Sequence, residues 1–245
     1  MEKLHTLLNL KNKLQGRLKA VAFDVDGTLY PNYQMFLASV PLFINYPRFV
    51  NAFRRMRRDI RGCETWGDVR KLQAQILSRD LGVSQEDAMK RMERIIYDQW
   101  ERMFAIIRPF RGLRDVLDFL KRQGYVLAVL SDFPPERKLE FLGVSSYFDV
   151  VLCSDDSGYL KPDPRAFEFL LNRLGLAGEE VLFVGNNYRY DVVGAKGVGM
   201  FSAMKVSPLK FSAYLKSERN RWEMADVIFS SYRHFLEILR YHIIN

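Results

Sequence analysis

The sequence predicts an α/β protein, in which a doubly wound parallel sheet carries an inserted all-helical segment. Three observations support this prediction. From residue 108 onward, short apolar runs typical of buried strands alternate with helical patterns. An earlier apolar run, residues 21–23, ends in two carboxylates, and the stretch between it and residue 108 shows helical spacing without strand-like alternation. Alternating strands and helices favour parallel strands joined by right-handed crossovers.

The bulk composition is that of a globular protein. The 245 residues are 48% apolar and 27% charged, which suffices for one domain with an insertion or for two small domains. No apolar run reaches the roughly 18 residues that span a bilayer. The N-terminus lacks the pattern of a signal peptide, and Cys63 and Cys153 lie far apart. We therefore expect a cytoplasmic protein with reduced thiols.

The net charge of +8 indicates an anionic partner of some kind. Charge alone is compatible with nucleic acid, an anionic membrane or a small anionic substrate. We expect no nucleic-acid partner, because the sequence contains no recognised nucleic-acid-binding module. Oligomeric state is left open by the sequence.

The predicted organisation is a core made of residues 1–30 and 108–245, with residues 31–107 inserted as three or four helices with their own small core. Within the insertion, Ser84 and Asp87 form a capping-box pattern and Gly82 is placed to end a helix. Residues 1–19 are predicted to form a basic amphipathic helix. This helix could lie on a membrane surface, but the absence of Trp and Phe favours packing against the domain.

The remaining core elements follow from the same periodicities. The predicted strands cover residues 125–130, 150–153, 181–184, 200–204 and 227–229. The predicted helices cover residues 112–122, 135–142, 164–174, 191–196 and 232–243.

Two carboxylates follow the first strand, in the sequence Asp24-Val25-Asp26-Gly27-Thr28. Side chains two residues apart in extended backbone point to the same side, so Asp24 and Asp26 are predicted to face one site. Gly27 allows the backbone to turn sharply after them. A solvated Asp turn is the alternative, but the apolar residues before Asp24 favour a site at the carboxyl end of a buried strand.

Three further polar clusters follow predicted core strands. Ser131 and Asp132 follow the second strand, Lys161 lies in a loop stiffened by two prolines, and Asn186 begins a turn that ends at Asp191. Taken singly, these clusters are also compatible with a Ser-Asp turn, a solvated surface lysine and a helix-capping turn.

The four clusters together predict one site, since the carboxyl ends of parallel strands share an edge of the sheet. Carboxylate and amide oxygens suit a hard cation such as Mg²⁺. A lysine and a hydroxyl beside that cation suit a phosphate group. The three histidines lie near the chain termini, so serine-histidine chemistry is not expected.

With these motifs the sequence resembles the haloacid dehalogenase-like (HAD) superfamily of hydrolases. The matching pieces are DVDGT at 24–28, Ser131, the KPDP lysine at 161 and GNNYRYD at 185–191. The resemblance covers about residues 15–30 and 108–205. It implies a Rossmann-like core, and residues 31–107 resemble the mobile C1-type helical cap of phosphoglycolate phosphatase-like members.

The resemblance also implies roles for individual residues. Asp24 would be the nucleophile that forms an aspartyl-phosphate, and Asp26 the general acid and base. The implied phosphate-binding residues are Gly27, Thr28, Ser131, Asp132 and Lys161. The implied Mg²⁺ ligands are Asp24, Asp26 through its main-chain carbonyl, Asn186 and Asp191.

The function implied is Mg²⁺-dependent hydrolysis of a small phosphorylated metabolite. Asp26 favours ester hydrolysis over dehalogenation, because a halide leaving group needs no proton. A phosphomutase or phosphotransferase of the same fold is one alternative. A degenerate, non-catalytic binding protein is another, because Asn186 stands where the family usually has a metal-binding Asp.

Six arginines between residues 48 and 61 give the insertion its densest positive charge. They could form a solvated helix surface, or one or two could reach the site and bind an anionic substrate. The six are Arg48, Arg54, Arg55, Arg57, Arg58 and Arg61.

Overall fold

The computed structural model describes residues 16–61, 68–99, 103–216 and 222–243. Within them lies one six-stranded, all-parallel sheet. Its strands are β1 (Ala20–Phe23), β2 (Val126–Ser131), β3 (Val150–Cys153), β4 (Val181–Gly185), β5 (Phe201–Lys205) and β6 (Val227–Phe229). In the strand order β3-β2-β1-β4-β5-β6, β2 and β3 lie on one side of β1, and β4, β5 and β6 lie on the other. This switch in the order places a ligand-binding crevice at the carboxyl ends of β1 and β4. The predicted fold class is confirmed.

The helices lie between the strands and in the inserted stretch. The α-helices are α1 (Asn32–Ala38), α2 (Val40–Asn45), α3 (Pro47–Asp59), α4 (Val69–Leu81), α5 (Gln85–Met92), α6 (Leu113–Arg122), α7 (Glu136–Leu142), α8 (Pro164–Leu174), α9 (Gly194–Gly197), α10 (Pro208–Lys216) and α11 (Tyr232–Ile238). Wider π-helical turns cover Glu93–Asp98, Tyr188–Val193 and Leu239–Ile243. Single 3-10 turns cover Phe104–Ile106, Ser145–Tyr147, Ser154–Ser157 and Gly178–Glu180.

Most predicted core elements agree with the structure to within one or two residues. Helix α10 was not predicted, and the predicted helix at 191–196 is a π-helical turn that runs into α9. The described part of residues 31–107 holds five α-helices where three or four were predicted. Most of the predicted N-terminal helix lies in residues 1–15, outside the described residues, and residues 16–19 form a turn and a connection into β1.

The sheet is covered on both faces, as an all-parallel sheet requires. Val21 and Phe23 of β1 belong to one buried cluster, which includes side chains of α6 and α11. Ala20 and Ala22 point to the opposite face, where they share a cluster with Phe167 of α8. The alternation of large and small side chains along β1 therefore follows the period of two that the strand geometry dictates.

The inserted helices supply most of a second hydrophobic cluster, which Leu160 of the loop after β3 joins. It includes Phe53 and Met56 of α3, Leu77 of α4 and Met92 of α5. One half of the predicted capping box is present at α5, since the Asp87 amide donates to the Ser84 hydroxyl at 3.0 Å. The division of the chain at residues 30 and 107 remains a prediction, which this separate cluster supports.

A buried arginine joins the inserted helices to the sheet. Arg57 of α3 is only 5% exposed, and its Nη1 lies 3.0 Å from Asp155 Oδ1 and 3.2 Å from Oδ2. Its Nη2 donates to the main-chain carbonyl of Asp132, and its guanidinium lies 4.3 Å from the ring centroid of Phe133. Burial alone would lower the pKa of Arg57, but Asp155 and Asp132 raise it. Arg57 therefore holds helix α3 against the loops that follow β2 and β3, through its ion pair with Asp155 and its hydrogen bond to Asp132.

We expect the Arg57→Ala substitution to lower the free energy of unfolding by about 3–5 kcal/mol, because it leaves Asp155 buried without its partner. Arg55, two residues earlier, is the matched control, since it is exposed and lies 3.8 Å from Asp80. Its replacement by Ala should cost less than about 1 kcal/mol. Urea unfolding of both variants provides the measurement. Equal losses would show that the buried pair does not dock the helix, whereas the double variant Arg57→Met, Asp155→Asn should recover part of the loss.

Gly27 makes the turn after β1 possible. Its φ is +85°, and a Cβ there would lie 1.9 Å from Asn186 Nδ2 and 2.3 Å from Asn32 Nδ2. No L-residue with a side chain fits without moving both asparagines. The turn thus brings the chain after β1 into contact with the chain after β4.

We expect Gly27→Ala to destabilise the fold by about 1–3 kcal/mol more than Gly82→Ala, because only the first adds a steric clash to the strained backbone. Gly82 is a matched control, with a φ of +66° and no heavy atom within 4 Å of the added Cβ. Thermal and urea unfolding of the two variants would test this. Equal costs would mean that the asparagines move aside freely.

Candidate active site

The polar clusters predicted from sequence meet at the carboxyl edge of the sheet. Asp24 follows β1, and its main-chain amide donates to the carbonyl of Val184 in the neighbouring strand β4 at 2.9 Å. Ser131 ends β2 on the other side of β1. The loop after β3 carries Lys161, and the turn after β4 carries Asp191. Ion pairs and hydrogen bonds then join the parts that follow β1, β3 and β4.

Lys161 is the centre of this arrangement. It is 2% exposed, and its ammonium lies 2.7 Å from Asp24 Oδ1 and 2.8 Å from Asp191 Oδ1. Burial alone would lower the pKa of Lys161, but Asp191 and Asp24 raise it well above its usual value. Lys161 is therefore a buried cation between two carboxylates, and the alternative of a solvated surface lysine is wrong.

Asp24 is a buried carboxylate with a partner on each oxygen. Oδ1 faces Lys161, and Oδ2 accepts a hydrogen bond from the Thr28 hydroxyl at 2.8 Å. Burial raises the pKa of Asp24 to about 7, with Asp191 and Asp26 acting in the same direction and Lys161 opposing them. The negative charge of Asp24 is thus poorly solvated, which favours its interaction with an added cation or an electrophile.

Asp26 lies at the more open side of the site, with two partners that the sequence analysis missed. Lys138 of α7 places its ammonium 2.8 Å from Oδ2 and 3.0 Å from Oδ1 of Asp26. The hydroxyl of Tyr30 donates to Oδ1 at 2.5 Å. One sequence signal was available: Lys138 stands four residues before Leu142, so it shares the apolar face of the predicted helix.

Asn186 and Asp191 lie in the turn after β4 and complete the site. The side-chain Nδ2 of Asn186 donates to the main-chain carbonyl of Asp26 at 3.1 Å. Asp191 Oδ2 accepts from the amides of Asn186 at 3.0 Å and Asn187 at 2.9 Å, and Asn187 caps the following turn through the amide of Tyr190. The turn therefore is a helix-capping turn and also directs Asp191 toward Lys161.

Asp132 supports the lysine loop. Its Oδ1 accepts from the Ser154 hydroxyl at 2.7 Å and from the amide of Lys161 at 3.2 Å, and Arg61 of the inserted segment pairs with Oδ2. Burial by itself would raise the pKa of Asp132, but Arg61, Lys161 and Arg57 together lower it to about 2. These contacts give Asp132 a positioning role, and its predicted contact with phosphate stays a prediction.

The other predicted phosphate-binding residues have local contacts of their own. Ser131 is buried, and its hydroxyl accepts from the amide of Phe133 at 3.3 Å. This bond leaves the hydroxyl proton of Ser131 available for donation. Thr28 donates to Asp24, and its carbonyl accepts from the buried hydroxyl of Tyr232 at 2.7 Å. The phosphate contacts of Ser131, Thr28 and Gly27 remain predictions.

The oxygen donors of the site bear on whether it can hold a metal ion. Among the described residues, no group of three or more His, Cys, Asp or Glu side chains is arranged to hold a metal. The Asp26 carbonyl nevertheless contacts the Asn186 side chain directly, and Asp24 lies two residues before Asp26. Rotating the Asn186 amide by half a turn presents oxygen in place of nitrogen, and three such oxygens fit a hard divalent cation. Asp191, like Asp24, has partners on both oxygens, and its Oδ2 is held by the main-chain amides of its own turn.

Five of the six arginines between residues 48 and 61 divide into two groups, and the sixth, Arg48, is exposed and belongs to neither group. Arg57 and Arg61 reach the sheet and pair with Asp155 and Asp132. Arg54, Arg55 and Arg58 are exposed, and together with Arg57 and Arg61 they line a basic cavity of about 600 Å³ beside the site. One part of the cluster therefore docks the insertion, and the other presents positive charge to solvent.

No helix in the described part of the chain is long and apolar enough to cross a bilayer.

Comparisons with known proteins all point to one family. The family model of haloacid dehalogenase-like hydrolases matches residues 18–199. The glyceraldehyde 3-phosphate phosphatase of Methanothermobacter thermautotrophicus is 30% identical over 201 residues, covering 78% of this chain and 87% of that protein. Phosphoglycolate phosphatase 1 of Pseudomonas aeruginosa is 28% identical over 187 residues, covering 74% of this chain and 67% of that protein.

A solved structure supports the fold. The HAD phosphatase of Thermococcus onnurineus superposes with a TM-score of 0.58 at 24% identity, covering 91% of this chain and 98% of that one. The residues that the family model matches include Ser131 at the end of β2, the segments after β1 and β4 that carry Asp24 and Asp191, and the loop of Lys161. The chain belongs to the haloacid dehalogenase-like hydrolases and is one of the phosphatases of that family.

Proposed function

We propose that this protein is a Mg²⁺-dependent phosphomonoester hydrolase that acts on a small phosphorylated metabolite through an aspartyl-phosphate on Asp24. The observation that carries the proposal is the buried ammonium of Lys161, held 2.7 Å from Asp24 Oδ1. A carboxylate can attack a phosphate dianion only if positive charge offsets their repulsion, and Lys161 supplies that charge where the attack would take place. The names of the relatives support a small phosphorylated substrate.

In the first half-reaction a carboxylate oxygen of Asp24 forms a bond to phosphorus, while the bond from phosphorus to the leaving oxygen breaks. Asp26 gives its proton to that oxygen, so the leaving group departs as a neutral alcohol. Lys161 and the Ser131 hydroxyl bind the oxygens of the transferring phosphoryl group.

In the second half-reaction Asp26 takes a proton from water, and the water oxygen attacks phosphorus. The acyl-phosphate bond then breaks and releases inorganic phosphate and the Asp24 carboxylate. Tyr30 and Lys138 support both steps, because their hydrogen bonds fix the direction in which Asp26 points. Asp191 and Asp132 position Lys161 through its ammonium and its amide.

Asp24, the Asp26 carbonyl and the Asn186 side chain would hold the metal ion, with the contribution of Asp191 as a further prediction. Bound Mg²⁺ supplies positive charge beside the phosphoryl oxygens and fixes their orientation.

The first experiment measures phosphate release from p-nitrophenyl phosphate with Mg²⁺ and after its removal by a chelator. We expect Mg²⁺-dependent turnover that falls by at least about a thousandfold in Asp24→Asn, because the variant lacks the anionic nucleophile. Asp115→Asn is the control, since Asp115 is an exposed residue at the start of α6. Turnover that survives in Asp24→Asn would exclude the aspartyl-phosphate route. No turnover by the unaltered protein would favour a binding function.

Replacing Asn186 by Asp should lower the Mg²⁺ concentration needed for half-maximal activity, because a charged oxygen ligand binds a hard cation more tightly than an amide oxygen. Asn187→Asp is the matched control, since the side chain of Asn187 caps the next turn instead of facing Asp26. A Mg²⁺ titration of both variants gives the comparison. If the midpoint of Asn186→Asp does not move, Asn186 is not a metal ligand.

A further inference from the structure

A second cavity, of about 280 Å³, lies beside the proposed general acid. Asp26 and Tyr30 of the segment after β1 line it, together with Phe36 of α1, Phe43 of α2 and Phe53 of α3. Its volume is close to the lower limit for cavities that hold small ligands. The cavity therefore has room for a substituent of modest size between the sheet edge and the inserted helices.

The wall of this cavity is mainly apolar. Nine of its 13 lining residues are aliphatic or aromatic, and only Asp26, Asn32, Ser39 and Arg54 are polar or charged. The Ser39 hydroxyl already donates to the carbonyl of Phe36 at 2.9 Å. A substituent rich in hydroxyl groups would leave most of those groups without partners, at a cost in affinity. The lining favours an apolar occupant.

The chemistry of the site says which part of a substrate would occupy the cavity. Asp26 protonates the leaving oxygen in the proposed reaction, so the group attached to that oxygen begins next to Asp26. Asp26 also lines the cavity, and the leaving group can therefore continue from the reaction centre into the apolar space. This step of the argument rests on the proposed function.

Arg54 adds a charge to an otherwise apolar wall. It is exposed, its guanidinium carbon lies 5.6 Å from the ring centroid of Phe43, and it lines both this cavity and the larger basic one. A guanidinium at the boundary of the two cavities is suited to a carboxylate or a second phosphate.

We propose that the leaving group of the substrate is an apolar body, aromatic or branched, that carries a second anionic group bound by Arg54. Hydrolysis of such a phosphomonoester breaks its phosphorus–oxygen bond and releases inorganic phosphate with an amphipathic alcohol that retains the second anion.

The apolar part is tested by the ratio of kcat/KM for benzyl phosphate to that for methyl phosphate. We expect a ratio of at least about ten, because a buried ring adds apolar contact that a methyl group lacks. Phe36→Ala should lower this ratio by about fivefold, since Phe36 lines the cavity. Leu37→Ala should not lower it: Leu37 is 61% exposed against 62% for Phe36 but is absent from the cavity wall.

The anionic part is tested by comparing 4-carboxybenzyl phosphate with 4-methylbenzyl phosphate. We expect Arg54→Met to lower kcat/KM for the carboxylate by about tenfold relative to the methyl compound, because only the carboxylate pairs with a guanidinium. Arg48→Met is the matched control, since Arg48 is an exposed arginine of α3 that lines neither cavity.

The two proposals fail in different ways. Equal kcat/KM for benzyl and methyl phosphate would overturn the apolar leaving group and leave phosphatase activity standing. If no ester is hydrolysed, calorimetric binding of benzylphosphonate and methylphosphonate decides the inference separately. Tighter binding of the benzyl compound, weakened by Phe36→Ala and not by Leu37→Ala, would support it, and equal binding would overturn it. Equal effects of Arg54→Met and Arg48→Met would overturn the role of Arg54.

Discussion

The structure of the site depends on one buried ammonium group. Asp24 and Asp191 are both buried, and two carboxylates at this edge would repel each other strongly without a cation between them. Lys161 supplies that cation, and it also links the loop after β3 to the segments that follow β1 and β4. The strand order is a precondition, because β1 and β4 must be neighbours for the two carboxylates to face the same lysine. The three charges that stabilise this edge of the sheet are therefore the same ones that the proposed reaction uses.

A chain of contacts extends from this lysine to the inserted helices. Asp132 holds the main-chain amide of Lys161, and Arg61 pairs with the other carboxylate oxygen of Asp132. Arg57 docks beside it on Asp155 and on the carbonyl of Asp132. The position of the lysine is thus linked to helix α3 through two successive contacts, from Lys161 to Asp132 and from Asp132 to Arg57. The same helix carries Arg54. A change in how α3 packs would therefore alter the contacts of Asp132, which also holds the main-chain amide of Lys161.

The sequence allowed the sheet and the sheet-edge cluster to be predicted because both depend on local patterns. Buried strands are continuous apolar runs, and parallel strands bring their carboxyl ends together whatever the loops contain. The contacts that were missed join distant positions: Lys138 and Asp26 are 112 residues apart, and Arg57 and Asp155 are 98 apart. No local pattern specifies such pairs. The number of inserted helices was underestimated because single residues, Ser39 and Tyr46, separate α1, α2 and α3.

The buried pair between Arg57 and Asp155 has a consequence for motion. If α3 moved away from the sheet, both groups would return to water, and their hydration would offset most of the attraction lost. Such a pair specifies one docked position for the helix but adds little to the free energy needed to separate the helix from the sheet. A hydrophobic contact of the same area would oppose separation more strongly, because exposing apolar surface to water is unfavourable and no hydration of charge offsets it. If the inserted helices open and close as the mobile cap of the resemblance implies, this pair would return α3 to the same docked position.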